Sequence, residues 1–127
     1  MQLNTHLKLN NSLNGDVIEL RPNYAKIYLQ TTETMKCDDE GLVHGGFAFC
    51  AADFCAMASV NHPFVVLAKS EVKFLAPVKV GDELIFEGNV TANDGRKQTV
   101  SVIGKIADKE VFTGEFKTVI LEKHILS

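Results

Sequence analysis

The chain has no tryptophan, three prolines and three cysteines in 127 residues, and little excess charge of either sign: Lys+Arg 13 against Asp+Glu 16. An odd set, Cys37, Cys50 and Cys55, has neither the spacing nor the nearby histidines of a zinc site, so no metal is expected and the thiols read as reduced. Net charge −3 and a pI near 5.8 give no electrostatic footprint for nucleic acid or an anionic membrane. The longest apolar stretch, residues 41–68, is broken by His44, Asp53 and Asn61-His62-Pro63 before it reaches the roughly 20 residues that span a bilayer. The first sixteen residues, MQLNTHLKLNNSLNGD, lack the apolar run of a secretory signal. No repeat and no low-complexity linker is visible. Together these absences predict a soluble cytoplasmic protein without membrane insertion.

What is present is ordinary for a globular chain: 46% hydrophobic and 23% charged residues. The length suits one domain, and about two-thirds of the unfolded surface can be buried without staples. Residues 1–15 are Asn-rich and read as a flexible lead-in, with a single domain over 16–127. Residues 17–20 and 24–29 are short strand-like runs, the second alternating Tyr24, Lys26, Tyr28 against Ala25, Ile27, Leu29. Residues 46–60 are Phe, Ala, Cys and Met with one charge, long enough for about four turns of a helix buried on most sides. Pro63 ends it. Residues 64–78, 83–92 and 98–106, and a last run carrying Phe112, Phe116 and Ile120, then read as a meander of four strands, with Asn93-Asp94-Gly95 as a hairpin turn. The fold class is α+β: a curved antiparallel sheet of five or six strands wrapped around one long central helix. Such a sheet keeps open edges, which a second copy commonly covers.

Asp53 is the single charge between His44 and Lys69 and falls in mid-helix. An ionised carboxylate there must be hydrogen-bonded, protonated, or open onto a water-filled crevice. His44-Gly45-Gly46 stands where loop becomes helix. Glycines admit close backbone approach, and the free N–H groups at the positive end of the helix suit a developing oxyanion, although Gly-Gly before a helix is also common loop punctuation. Gly45 and Asp53 are eight residues apart, about two turns, so donor and carboxylate can flank one cleft. Cys50 and Cys55 read as packing residues.

The segments Gly41-Leu42-Val43-His44-Gly45-Gly46-Phe47 and Ala51-Ala52-Asp53, followed by Phe74-Leu75-Ala76-Pro77-Val78 and Gly81-Asp82-Glu83-Leu84, resemble the hotdog-fold acyl-CoA thioesterases, in particular the phenylacetate-pathway thioesterase subgroup. The resemblance covers roughly residues 15–122. It implies hydrolysis of an acyl-CoA or acyl carrier protein thioester by carboxylate-assisted water attack, with no cofactor beyond the coenzyme A of the substrate. In that picture Asp53 orients or deprotonates water, or attacks directly; Gly45 polarises the thioester oxygen; and His44 supports the loop or contacts the thioester.

The resemblance also implies a homodimer, or a dimer of dimers, with the site at the subunit interface. Gly46, Phe47, Phe54 and Phe74 would line the acyl end, while Lys73, Arg96 and Lys97 would meet the coenzyme A phosphates. Two positions depart from the pattern. Asp38-Asp39-Glu40 stands where relatives carry an Asn, and an acidic loop near Asp53 would raise its pKa. Val65-Val66-Leu67-Ala68 replaces a stretch that often supplies a hydroxyl, leaving Ser70 nearest. A non-catalytic acyl-CoA-binding hotdog protein with a sensing role, and a hotdog dehydratase, are the alternative readings.

Overall fold

The computed structural model describes residues 1–127. A single-turn helix α1 (Asn11–Asn14) precedes strands β1 (Asp16–Arg21) and β2 (Tyr24–Gln30). The long helix α2 (Gly45–Val60) follows, then strands β3 (Val65–Phe74), β4 (Glu83–Asp94), β5 (Lys97–Ile106) and β6 (Lys109–Ile120). All strand pairs are antiparallel, in one six-stranded sheet ordered β1-β2-β4-β5-β6-β3. The expected α+β architecture, a sheet curved around one helix, is the one observed.

The meander is shorter than the alternation predicts. β3 does not neighbour β4; it pairs along β6 at the sheet edge, while β4 pairs with β2. β3 also stops at Phe74 instead of running to residue 78, and segment 75–82, containing Pro77, crosses the end of the sheet to reach β4. Proline cannot continue the ladder, so the strand yields to a crossover there. At the other end, Gly95 at φ 68 and Arg96 form the two-residue connection between β4 and β5.

α2 is flanked by His44 at its N-cap and by Asn61 at its C-cap, which takes the left-handed conformation (φ 56) and donates its N–H to the Met57 carbonyl at 2.8 Å. Ala48, Ala51, Ala52, Ala56 and Ala58 are buried and keep the helix thin enough to lie close to the sheet. The tightest approach is at Gly88 of β4: a Cβ there would stand 2.5 Å from the Ser59 hydroxyl oxygen and 3.1 Å from the Cys55 sulfur. Inward residues Leu84, Phe86, Val100, Val102, Phe112 and Phe116 complete the core.

Residues 1–15 are packed. Leu3, Leu9 and Leu13 lie against the core, and Thr5 is buried. The Asn61 side chain clasps the segment, accepting from the Asn4 N–H at 2.7 Å and donating to the Gln2 carbonyl at 2.9 Å. Three leucines spaced among asparagines cover part of the side of α2 that the sheet leaves bare.

Candidate active site

The loop before α2 is held by its own backbone. Val43 N–H donates to the Val78 carbonyl at 2.8 Å and His44 N–H to the Met35 carbonyl at 2.9 Å. Asp38 Oδ1 accepts from the N–H groups of Glu40 at 2.9 Å and Leu42 at 3.1 Å. His44 occupies the N-cap position without making a side-chain cap. Its ring instead folds over Gly46, with Nε2 3.0 Å from where a Cβ would stand, and meets Phe47 edge-on at 6.2 Å between centroids. The N–H groups of Gly45 and Gly46 therefore have no protein acceptor at the positive end of a sixteen-residue helix.

Gly45 faces Phe74: a Cβ on it would lie 3.1 Å from the Phe74 ring. Around this contact is a cleft of about 100 Å³, lined by Leu42, His44, Gly45, Ala48, Phe74, Ala76 and Pro77 and floored by the buried Val43, Val78 and Val111. Pro77 and Val78 belong to it because the crossover passes over the helix start, which alternation alone could not reveal.

Asp53 stands two turns further on. At 100° per residue, Gly46, Cys50 and Asp53 share one side of α2, turned away from the sheet-facing Ala48, Ala52, Cys55 and Ser59. The structure leaves that side less covered, and Cys50 is exposed instead of packed. Asp53 Oδ1 is sealed from solvent and has no hydrogen-bond partner. Burial pushes the carboxyl up to about 6, so it is mostly ionised at neutral pH yet basic enough to take a proton. Burial, and secondarily the Asp53 charge, raise the Cys50 thiol. The acidic loop plays no part in lifting Asp53, for burial alone accounts for the shift and Asp38 is turned into its own loop.

Of the expected site residues, His44, Gly45 and Phe74 meet at the cleft, with Gly46 and half-buried Phe47 beside them. Phe54 does not reach it. That ring is 2% exposed and stacks on His6 at 6.5 Å beneath the N-terminal segment, which makes it core instead of acyl lining. Lys73 is exposed next to Phe74, between Glu71, Thr113 and Glu115. Arg96 and Lys97 sit at the β4–β5 turn, beside the start of β3: Arg96 Nε donates to the Ile120 carbonyl at 3.1 Å, and Ile120 pairs with Val65. Phe74 closes the other end of β3, ten residues or roughly 30 Å away. Within one protomer, the basic turn and the cleft lie at opposite ends of the sheet.

One long helix wrapped by an antiparallel sheet, with an uncapped helix start and a half-buried carboxylate two turns along, defines a hotdog domain. Residues 40–113 match the family model of the thioesterase superfamily, and the chain belongs to that superfamily. It is 42% identical to an uncharacterized protein, PH1136, from Pyrococcus horikoshii, whose crystal structure superposes with a TM-score of 0.99 over 100% of this chain and 98% of that one.

Among curated proteins it is 50% identical over 121 residues to a methylthioribose-1-phosphate isomerase from Aquifex aeolicus, covering 95% of this chain and 26% of that protein. It is 32% identical over 113 residues to the transcription factor FapR of Caldanaerobacter subterraneus, covering 88% and 56%. The chain thus spans about a quarter and a little over half of these two relatives. The Streptococcus mutans protein smu.793 bound to acetyl CoA shares the fold at 21% identity, with a TM-score of 0.79 over 94% of this chain and 99% of that one. No helix is long and apolar enough to cross a membrane.

Proposed function

We propose that the chain hydrolyses acyl-CoA thioesters, releasing a free acid and coenzyme A. The observation that carries this reading is the half-buried Asp53 carboxylate, its Oδ1 sealed from solvent and without a partner, on the side of α2 that leads to the free N–H groups of Gly45 and Gly46. The thioester carbonyl docks on those N–H groups. Asp53 takes a proton from water, the water oxygen adds to the carbonyl carbon, and the negative charge that forms on the carbonyl oxygen is met by the N–H groups and the helix dipole. Collapse of the tetrahedral adduct breaks the C–S bond, and the proton returns to the departing thiolate. The ring of His44 over Gly46 keeps bulk from the oxyanion position.

Coenzyme A as carrier is supported by the acetyl-CoA-bound protein of the same fold and by the guanidinium of Arg96, which suits a phosphate. Lys73 and Lys97 are the further cations. The motif likeness to the phenylacetate-pathway subgroup points the same way, and three free cysteines fit a cytosolic enzyme. Isomerase chemistry is not carried over from the Aquifex relative, since three-quarters of that protein lies outside the match. An alternative, acyl-CoA sensing without turnover, is favoured by one observation: the same kind of domain makes up a little over half of a transcription factor.

Thiol release from acyl-CoAs by wild type beside Asp53→Asn separates the two. Hydrolysis that falls by about 10²-fold or more in the variant is expected. No turnover, with acyl-CoA still raising the melting temperature, would replace hydrolysis by sensing.

A further inference from the structure

Two side-chain oxygens are sealed from solvent without a hydrogen-bond partner, Asp53 Oδ1 and Gln98 Oε1. Folded chains bury few such atoms, because an unmet acceptor has given up water without replacement. Gln98 cannot relieve its own by turning the amide: Nε2 donates to the Gly95 carbonyl at 3.4 Å, and a flipped amide would set oxygen against oxygen. Its backbone is pinned as well, the carbonyl accepting from the buried Thr118 hydroxyl at 3.0 Å. On β5 it shares the inward face with Val100 and Val102.

The fold brings the two oxygens to one level of the core. α2 and β6 run the same way, from the end where Gly45 meets Phe74 and Phe74 pairs with Phe112 toward the start of β3. They touch at Phe49 and Phe116, whose ring centroids are 5.8 Å apart. Asp53 lies one turn beyond Phe49, an advance of about 6 Å with a rotation of about 40°. Thr118 lies two residues beyond Phe116 on the same strand face, an advance of about 6–7 Å, and Gln98 is its partner across the ladder. No charge stands between them on the sheet: the inward residues at this level are Val100, Phe116 and Thr118, with Leu67 and Ser70 opposite on β3. On α2 the titratable neighbour is Cys50.

We infer that Gln98 is a positioning residue for Asp53, its Oε1 accepting the hydrogen of the protonated carboxyl. A carboxyl that carries its proton on the Gln98 side turns one orphan acceptor into a donor and satisfies both atoms at once, whereas the ionised form leaves both unmet. The consequence for turnover rests on the hydrolysis proposed above. The proton that Asp53 takes from water on the open side of α2 reaches Gln98 by rotation of the carboxyl about Cβ–Cγ, is held there, and returns to the departing thiolate. Gln98 thereby strengthens the base without touching substrate.

Asp53 is titrated by carbon NMR of its carboxyl, in the full chain and without substrate, in wild type, Gln98→Met and Gln98→Glu. Methionine keeps the length but lacks the acceptor, so the Asp53 titration should fall by about one pH unit or more. Glutamate sets a second carboxyl on the same hydrogen, so the pair should titrate with its upper step about one unit or more above the wild-type value. A purely structural role would not move the two variants in opposite directions. The pH profile of acyl-CoA hydrolysis should follow the methionine shift, with plateau kcat lowered about tenfold and KM within about twofold. An Asp53 titration that Gln98→Met leaves in place or moves upward would overturn the inference, and this variant decides alone where the glutamate chain does not fold. A folded Gln98→Glu chain with the wild-type titration would overturn it too. Opposite shifts in a protein that turns over no acyl-CoA would uphold the pairing and overturn the hydrolase.

Discussion

On the proposed hydrolysis, Asp53 would couple stability to activity in opposite directions. In the folded chain its carboxyl is raised from 3.8 to about 6 by burial, so the unfolded chain holds fewer protons at this group between those values, and stability falls as pH rises through that window. Above it, the ionised and unpartnered carboxylate weakens the fold by roughly 1–2 kcal/mol once partial exposure is discounted. Asp53→Asn is therefore expected to be more stable than wild type in denaturant unfolding at pH 8, with the difference vanishing below pH 3.8, while its turnover is lost. A variant less stable at pH 8 would mean that the carboxylate has a partner in solution. The same shift predicts that kcat/KM climbs with pH up to about 6 and then levels, because the base must be ionised. Asp53 was legible in the sequence because it is a lone charge in an apolar run, and His44-Gly45-Gly46 only through its spacing to Asp53, since two glycines before a helix are common loop punctuation. Phe54 was not: it carries the same apolar signal as Phe74, and only the packing of the N-terminal segment over α2, against the end of β3 beside the helix start, sends one ring to the core and the other to the cleft.

At the scale of elements, the contact of α2 with β4 rests on Gly88. A methyl there would meet the Ser59 hydroxyl at 2.5 Å, the Cys55 sulfur at 3.1 Å and the Cys55 carbonyl at 3.3 Å. Gly88→Ala should lower stability by about 1–3 kcal/mol, the usual cost of overpacking a filled core. Since the nearest atom is a hydroxyl oxygen, Ser59→Ala should recover part of that loss, and a thermal-denaturation cycle over the two single variants and the double would show it as non-additivity. Strictly additive losses would place the helix farther from the strand.

The strand-forming runs were readable from their periods and the helix from the length of its apolar run, while the turn expected at Asn93-Asp94-Gly95 falls at Gly95-Arg96, with Asn93 and Asp94 inside β4. Sheet order was not. β3, β4, β5 and β6 differ little in composition, and period two tells which face a residue takes, never which strand lies beside it. That choice is made by α2, which carries the chain from one end of the sheet to the other and starts β3 at the far edge, beside β6.

That edge decides how the whole molecule would work. β3 presents ten residues with one side unpaired, and the side of α2 carrying Asp53 is the one left less covered, so association through β3 is expected to leave no stable monomer at micromolar concentration in sedimentation experiments. A two-fold axis that pairs β3 antiparallel with its copy brings the start of one β3 to the end of the other. Arg96, beside the start, would then stand near the partner's cleft at the Phe74 end, roughly 30 Å from the cleft of its own protomer. Such a dimer would remove the separation seen within one chain, and it makes a definite prediction about mixing.

Asp53→Asn homodimers lack the carboxylate in both sites, and Arg96→Ala homodimers bind coenzyme A weakly in both. A heterodimer of the two variants has one site in which an intact Asp53 faces an intact Arg96 of the other subunit. Unfolding and refolding the variants together, then assaying at substrate concentrations below KM, should restore about a quarter of wild-type activity, because half of the dimers are mixed and each has one whole site. If Asp53 and Arg96 served the same site from a single chain, every site in the mixture would carry one lesion and activity would stay at the average of the two variants.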